Sequence, residues 1–158
     1  MAVTYEGANE QTRQIIHHHA VLRRGLERRA GALCEAAENG IMFQQQLKSL
    51  QEYLDGEIMP HARAEEHTFY PAAVTQARGS ELVRTLTAEH RDLAHLAGRL
   101  QPGVGAREAA TVSEQIATLF AGHVAKENDL LLPALTRSGV NLAALLADMH
   151  ESQARAHV

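Results

Sequence analysis

Residues 58–72 of the chain read IMPHARAEEHTFYPA, and residues 120–134 read FAGHVAKENDLLLPA. In both stretches a histidine is followed by a glutamate four residues later and by a proline ten residues later. Residues four apart in a helix stand about 40° apart around its axis, so both side chains can reach one cation or a close pair of cations. The repeat predicts two equivalent helices with one such pair each: His61 with Glu65, and His123 with Glu127.

The rest of the chain has the pattern of an all-α protein. Glycine and proline divide it into four segments long enough for helices and a short last one, and apolar residues recur within each segment at steps of three and four. Short connections between such helices imply antiparallel neighbours. We predict an up-down antiparallel four-helix bundle over about residues 10–137, with a short fifth helix over about 141–157. The helices of the bundle are predicted over about 10–38, 41–77, 80–100 and 106–137.

Each apolar stripe is interrupted by a histidine in phase with it, as His19 is between Ile15 and Leu22. A single core histidine is usually only hydrogen-bonded, but buried carboxylates need a proton, a partner or a cation. A set of histidines and carboxylates on four inward faces favours a metal site, and the two matching halves favour two ions. The predicted metal ligands are His19, His61, Glu65, His90, His123 and Glu127.

This order of ligands, with Phe69-Tyr70-Pro71 after the first pair, resembles the bacterial hemerythrin-like family known as the HHE cation-binding domain, over roughly residues 12–137. The resemblance implies a four-helix bundle that binds two non-haem irons, bridged by the two carboxylates and an oxygen species. The oxygen-carrying hemerythrins have another histidine four residues after the third-helix ligand, where this chain has Ala94. If Glu65 and Glu127 bridge the irons as the resemblance implies, each iron has two histidines and shared carboxylate oxygens, which leaves at least one position per iron for a small ligand.

The remaining histidines are expected to lie outside the ligand set. His18 flanks the stripe beside His19 and is the nearest bystander. Tyr70 is either a hydrogen-bond donor or radical trap near the site, or a packing residue at a helix end. The others are placed off the inward faces: His17, His67 and His157 on the surface, His95 off the face of His90, and His150 on the fifth helix.

Imidazole and carboxylate donors without thiolate suit iron or manganese, with zinc as an adventitious occupant. The first functional hypothesis is a protein that binds or senses dioxygen or another diatomic ligand such as nitric oxide. The alternatives are a di-iron enzyme that reduces nitric oxide or decomposes hydrogen peroxide, and an iron storage or donor protein. No serine triad, phosphate-binding loop or Cys-x-x-Cys motif offers competing chemistry.

Composition predicts a single domain, over residues 1–158, in the cytoplasm. The only cysteine, Cys34, rules out an intrachain disulfide and suits a reducing compartment. No apolar run approaches the ~20 residues of a membrane span, and residues 1–10 lack the features of a signal peptide. A net charge of −4 gives no general attraction to nucleic acid. Neither a membrane nor a nucleic-acid partner is expected, and no protein partner is indicated.

Overall fold

The structure is a computed structural model that describes residues 5–156, with side chains for residues 10–155. Every regular element within those limits is helical, so the all-α prediction is confirmed, and the helices form five segments. None of the described helices is both long and apolar enough to cross a membrane. The elements are α1 (Tyr5–Glu38), α2 (Gln44–Tyr53), π1 (Leu54–Ile58), α3 (Met59–His67), α4 (Phe69–Val74), α5 (Gly79–Arg99), α6 (Ala106–Lys126), π2 (Glu127–Leu131), α7 (Leu132–Arg137) and α8 (Leu142–Ala156).

The helix predicted over about 41–77 is interrupted at Thr68, whose backbone angles are φ −125° and ψ −75°. Pro71 explains the interruption, because proline has no N–H to donate and its ring collides with the carbonyl four residues earlier, that of His67. The Thr68 hydroxyl donates to the Ala64 carbonyl oxygen at 2.7 Å and so satisfies part of the helix end. The α4 helix then begins at Phe69.

Two π-helical turns lie beside prolines. Pro60 follows the end of π1 by two residues, and Pro133 follows the end of π2 by two residues. A π turn inserts one extra residue, which lets a helix continue past a residue that cannot make the usual hydrogen bond. The two copies of the repeat differ, because Gly122 stands where the first copy has Pro60. The π1 turn precedes His61, whereas the π2 turn contains Glu127.

The apolar core consists of two clusters on either side of a polar layer. One cluster includes Leu26, Leu50 and Ile116, and the other includes Phe69 and Leu135, all at most 1% exposed. The predicted ligands stand between the clusters in sequence: His19 separates Ile15 from Leu22, and His90 separates Leu86 from Leu93. The polar side chains are therefore enclosed by apolar packing above and below.

The helices pack around this polar layer. The α1 helix contacts α2 and α6, and α5 contacts α3, α4 and α6. Tyr53 of α2 lies so close to Gly25 of α1 that a Cβ at Gly25 would overlap the Tyr53 hydroxyl. This hydroxyl donates to the Leu22 carbonyl oxygen at 3.1 Å. The α8 helix, at the position of the predicted fifth helix, packs on α1 and α3. The predicted last residue of that helix, His157, lies outside the described residues, as does its expected surface position.

Candidate metal centre

The six predicted ligand side chains meet in the polar layer, and each is at most 6% exposed. They come from α1, α3, α5, α6 and the first residue of π2. Each helix presents them inward because their positions continue its apolar stripe. The residues brought together are His19, His61, Glu65, His90, His123 and Glu127.

Their donor atoms fall into two groups, each with all atoms within 4.8 Å of one another. Glu65 belongs to both groups. Its Oε1 lies 2.9 Å from His61 Nε2 and 3.3 Å from His19 Nε2, and its Oε2 lies 3.5 Å from His90 Nε2. The first group is His19, His61, Glu65 and Glu127, and the second is Glu65, His90 and His123.

Glu127 also reaches histidines of both groups. Its Oε1 lies 3.2 Å from His123 Nε2 and 3.9 Å from His19 Nε2. The two glutamates therefore lie between one pair of histidines and the other. This is the geometry that carboxylates need to bridge two neighbouring cations.

Each of the four histidines turns Nε2 toward the centre and Nδ1 outward to a side-chain partner. His90 Nδ1 lies 2.8 Å from Glu66 Oε1, and His123 Nδ1 lies 2.9 Å from Glu89 Oε2. Such outer partners set the tautomer and the ring orientation of metal-binding histidines. The other two pairs are His19 Nδ1 with Asn128 Oδ1 at 2.7 Å, and His61 Nδ1 with Gln153 Nε2 at 3.3 Å.

The tautomers leave lone pairs facing each other at the centre. Because the carboxylates of Glu66 and Glu89 only accept hydrogen bonds, the Nδ1 atoms of His90 and His123 carry the protons. In the neutral rings both Nε2 atoms then carry lone pairs, and they are only 3.0 Å apart. Two lone pairs at this distance repel each other unless a proton or a cation lies against them.

Several buried polar atoms at the centre have no hydrogen-bond partner among the described residues: His61 Nε2, Glu65 Oε2 and Glu127 Oε1. His61 Nε2 and Glu65 Oε1 are 2.9 Å apart, but they do not align as a hydrogen bond. Leaving such groups buried and unsatisfied costs about 1–3 kcal/mol each, and more for charged ones. Donor atoms that lie close together without forming hydrogen bonds are arranged like ligands of a shared cation. The buried cluster therefore fits a metal site.

The pKa values of the clustered side chains indicate which of them carry protons when no metal is bound. Burial lowers the pKa of a histidine, but the close contact with the charged carboxylate of Glu127 outweighs burial and raises the pKa of His123 to about 9. The pKa values of His19 and His90 are also raised, since Glu65 outweighs burial at both. Burial raises the pKa of Glu65, but His61 and His19 hold it well below its usual value. Protons therefore take the place of cations in the metal-free cluster.

We expect the Tm of the metal-free protein to fall by several degrees Celsius as the pH rises from 6.5 to about 9. The folded pKa of His123 lies above its unfolded value of 6.5, so its protonation stabilises the fold fully below pH 6.5 and ceases to do so as the pH passes about 9. Bound metal replaces these protons, so the metal-loaded protein should show no such fall. Circular dichroism melting with and without iron measures the difference. A metal-free Tm that rises over this interval would contradict the assignment of protons to the cluster.

Tyr70 lies at the centre as well as in the core. Its ring stacks on His90, and its hydroxyl donates to Glu127 Oε2 at 3.0 Å. The same hydroxyl lies 3.3 Å from His90 Nε2 and 3.5 Å from His123 Nε2. Burial and the charge of Glu65 raise the pKa of the phenol, which keeps its proton. Tyr70 therefore packs near a helix end and is also a hydrogen-bond donor at the site.

The other described histidines lie outside both groups. His18 comes closest, with its ring centroid 5.1 Å from that of His61 and its Nε2 buried without a partner. Burial, together with the neighbouring His61 and His19, lowers the pKa of His18 to about 4, so its ring stays neutral at neutral pH. The exposed histidines are His17, His67, His95 and His150.

The four outer partners were not predicted from the sequence. Asn128 follows Glu127 in the chain but contacts His19, and Glu89 precedes His90 but contacts His123. Gln153 reaches His61 from α8. These contacts cross between helices, so no spacing within one helix could have revealed them.

A family model, the hemerythrin HHE cation binding domain, matches residues 11–135. That region includes all six side chains of the buried cluster, whereas α8 and Gln153 lie beyond it. No curated protein and no solved structure gave a significant match. The match covers well over half of the chain, and the chain belongs to the hemerythrin HHE cation-binding family.

Proposed function

We propose that the buried cluster holds two iron ions that bind a small diatomic ligand such as dioxygen or nitric oxide. The observation that carries this proposal is the pair of donor groups that share Glu65, with four Nε2 atoms turned inward. One ion would lie with His19 and His61, and the other with His90 and His123. Glu65 and Glu127 would bridge them.

Iron is the preferred metal because the donors are imidazole and carboxylate without thiolate. Histidine and carboxylate donors with open positions are typical of non-haem iron sites that handle oxygen. Bound iron would supply reversible one-electron chemistry and open positions for a small ligand. The family match supports a cation at this position, and the choice of iron rests on the donor chemistry.

We infer that the four long helical segments form an up-down bundle around the two ions. Tyr53 contacts Leu22 of α1. Glu65 comes after Tyr53 in the chain, but it contacts His19, which comes before Leu22. These two contacts indicate that the first two segments run in opposite directions. The same reasoning applies to α5 and α6, where His90 meets His123 while the later Arg99 meets the earlier Glu108. Such an arrangement brings donors from every long segment to one level.

Four sets of side chains would control the centre. The outer partners fix the ring orientation of each histidine, and Glu65 and Glu127 hold the negative charge that two cations need. The apolar clusters on either side keep bulk water away, which protects a reduced centre from side reactions. Tyr70 holds a proton at its hydroxyl, next to the space between His90 and His123.

The proton on Tyr70 favours a second candidate function. Reduction of nitric oxide and decomposition of hydrogen peroxide both need protons at the reacting oxygen atoms, and the Tyr70 hydroxyl is a buried donor at the centre. Ligand binding remains the first proposal, and iron storage is disfavoured because all six donors are buried and each histidine is held by an outer partner. Such rigid positions suit a resident cofactor better than iron that is stored and released.

The test is an anaerobic titration of the reduced, iron-loaded protein with dioxygen, nitric oxide and hydrogen peroxide in turn. Ligand binding predicts a stoichiometric change in absorption with dioxygen or nitric oxide, reversed when the gas is removed. Repeated consumption of peroxide or nitric oxide would instead assign the enzymatic function. Zinc-loaded protein, which cannot change oxidation state, is the control. An iron-loaded protein that responds to none of the three would overturn the proposal.

A further inference from the structure

The outer partners of the histidines differ in charge between the two donor groups. Both histidines of the second group contact carboxylates: His90 contacts Glu66 at 2.8 Å and His123 contacts Glu89 at 2.9 Å. The first group has neutral amides instead. There His19 contacts Asn128 at 2.7 Å and His61 contacts Gln153 at 3.3 Å. The amide of Gln153 is neutral whichever of its two ends faces the ring.

A carboxylate behind a histidine makes that histidine a stronger donor to a metal. It draws the Nδ1 proton toward itself, which increases electron density at Nε2, and its charge stabilises the positive charge of the ion. An amide holds the ring in place but adds no charge. Loss of such an outer partner typically costs 10–100-fold in metal affinity.

Burial and neighbouring charges modify this difference without removing it. Glu89 is 13% exposed, so its charge is poorly screened, but Lys126 also contacts it and takes up part of that charge. Glu66 is 36% exposed and therefore more screened by water. Glu127 belongs to the first donor group, but its Oε1 lies nearer to His123, at 3.2 Å, than to His19, at 3.9 Å. Glu65 likewise lies near histidines of both groups, so the two carboxylates do not offset the difference between the outer partners.

We propose that the two metal positions are unequal: the position at His90 and His123 binds its ion first and more tightly, and the position at His19 and His61 binds the second ion more weakly. This inference rests on the proposed two-metal centre. The inference also assigns a role to α8, which lies beyond the family match, because Gln153 of α8 supplies the neutral partner of the weaker position.

The test is a titration of the metal-free protein with Co²⁺ in competition with a coloured chelator. Two binding steps are expected, at least about tenfold apart in affinity. Changing Glu66→Gln and Glu89→Gln together keeps a hydrogen-bond acceptor but removes the charge. This change should weaken the tighter step by about 10–100-fold and leave the weaker step in place. Because glutamine retains the contact, a merely structural role for the two glutamates predicts no change.

The opposite change is the matched second arm. Asn128→Asp and Gln153→Glu add a carboxylate behind His19 and His61, so they should strengthen the weaker step and bring the two steps together. This arm keeps the proposal testable if the glutamine variants do not fold. Two steps of equal affinity in the parent, or steps that do not respond to these charges in either arm, would overturn the asymmetry alone. Fewer than two Co²⁺ ions per parent chain would overturn the two-metal centre as well.

Discussion

Replacing Glu65 by alanine is expected to remove both iron ions, from two per chain to none bound tightly. Glu65 is the one side chain common to both donor groups, and its two oxygens face different histidines. Without it, each ion loses a donor and the two cations lose a negative charge between them. Other residues cannot replace a missing donor in a fixed, buried position. Metal analysis after removal of free iron measures the loss.

The matched control is Glu52→Ala, in the same helical segment. The Glu52 side chain is 67% exposed and pairs only with the neighbouring Lys48 among the described residues, so this variant should keep both ions. Circular dichroism establishes that both variants fold. An iron content that is unchanged in Glu65→Ala, or equally reduced in both variants, would refute the role of Glu65 as a shared ligand.

Replacing Tyr70 by phenylalanine is expected to keep both irons but to raise the affinity of the oxidised centre for a small anion such as azide by about tenfold or more. An anion that enters between His90 and His123 must displace the Tyr70 hydroxyl, which donates to Glu127. A hydrogen bond to a charged group is worth about 1.5–3 kcal/mol, and about 1.4 kcal/mol is a factor of ten in affinity. Phenylalanine keeps the ring packing but avoids this cost. Optical titration with azide measures the change.

Tyr53→Phe is the control for this variant, because the Tyr53 hydroxyl also donates a hydrogen bond, but to the Leu22 carbonyl oxygen. It should leave azide affinity unchanged. Weaker azide binding in Tyr70→Phe would mean that the Tyr70 hydroxyl donates to the bound anion, and the displacement argument would then be wrong.

The inward-facing residues could be predicted from the sequence because a helix returns to the same face every three to four residues. His19 was identifiable because Ile15 and Leu22 mark the buried face on either side of it, and both are buried. Repetition made the set specific, since two His-x-x-x-Glu pairs in phase are hard to explain as separate core histidines.

Local helix geometry was less predictable, because the same proline spacing has different consequences in the two halves. Pro71 is preceded by a break at Thr68, whereas the helix continues to Pro133 through a π turn. The residue equivalent to Thr68 is Leu130, which has no hydroxyl to satisfy an open helix end. The outer partners were not predictable either, because their pairing depends on contacts between helices.

Anomalous X-ray scattering at the iron absorption edge, from crystals of the protein saturated with iron, tests the two-iron centre most directly. Two peaks of similar height are expected, one beside His19 and His61 and the other beside His90 and His123, with Glu65 and Glu127 between them. A single peak, or iron bound only outside these six side chains, would contradict the proposed centre.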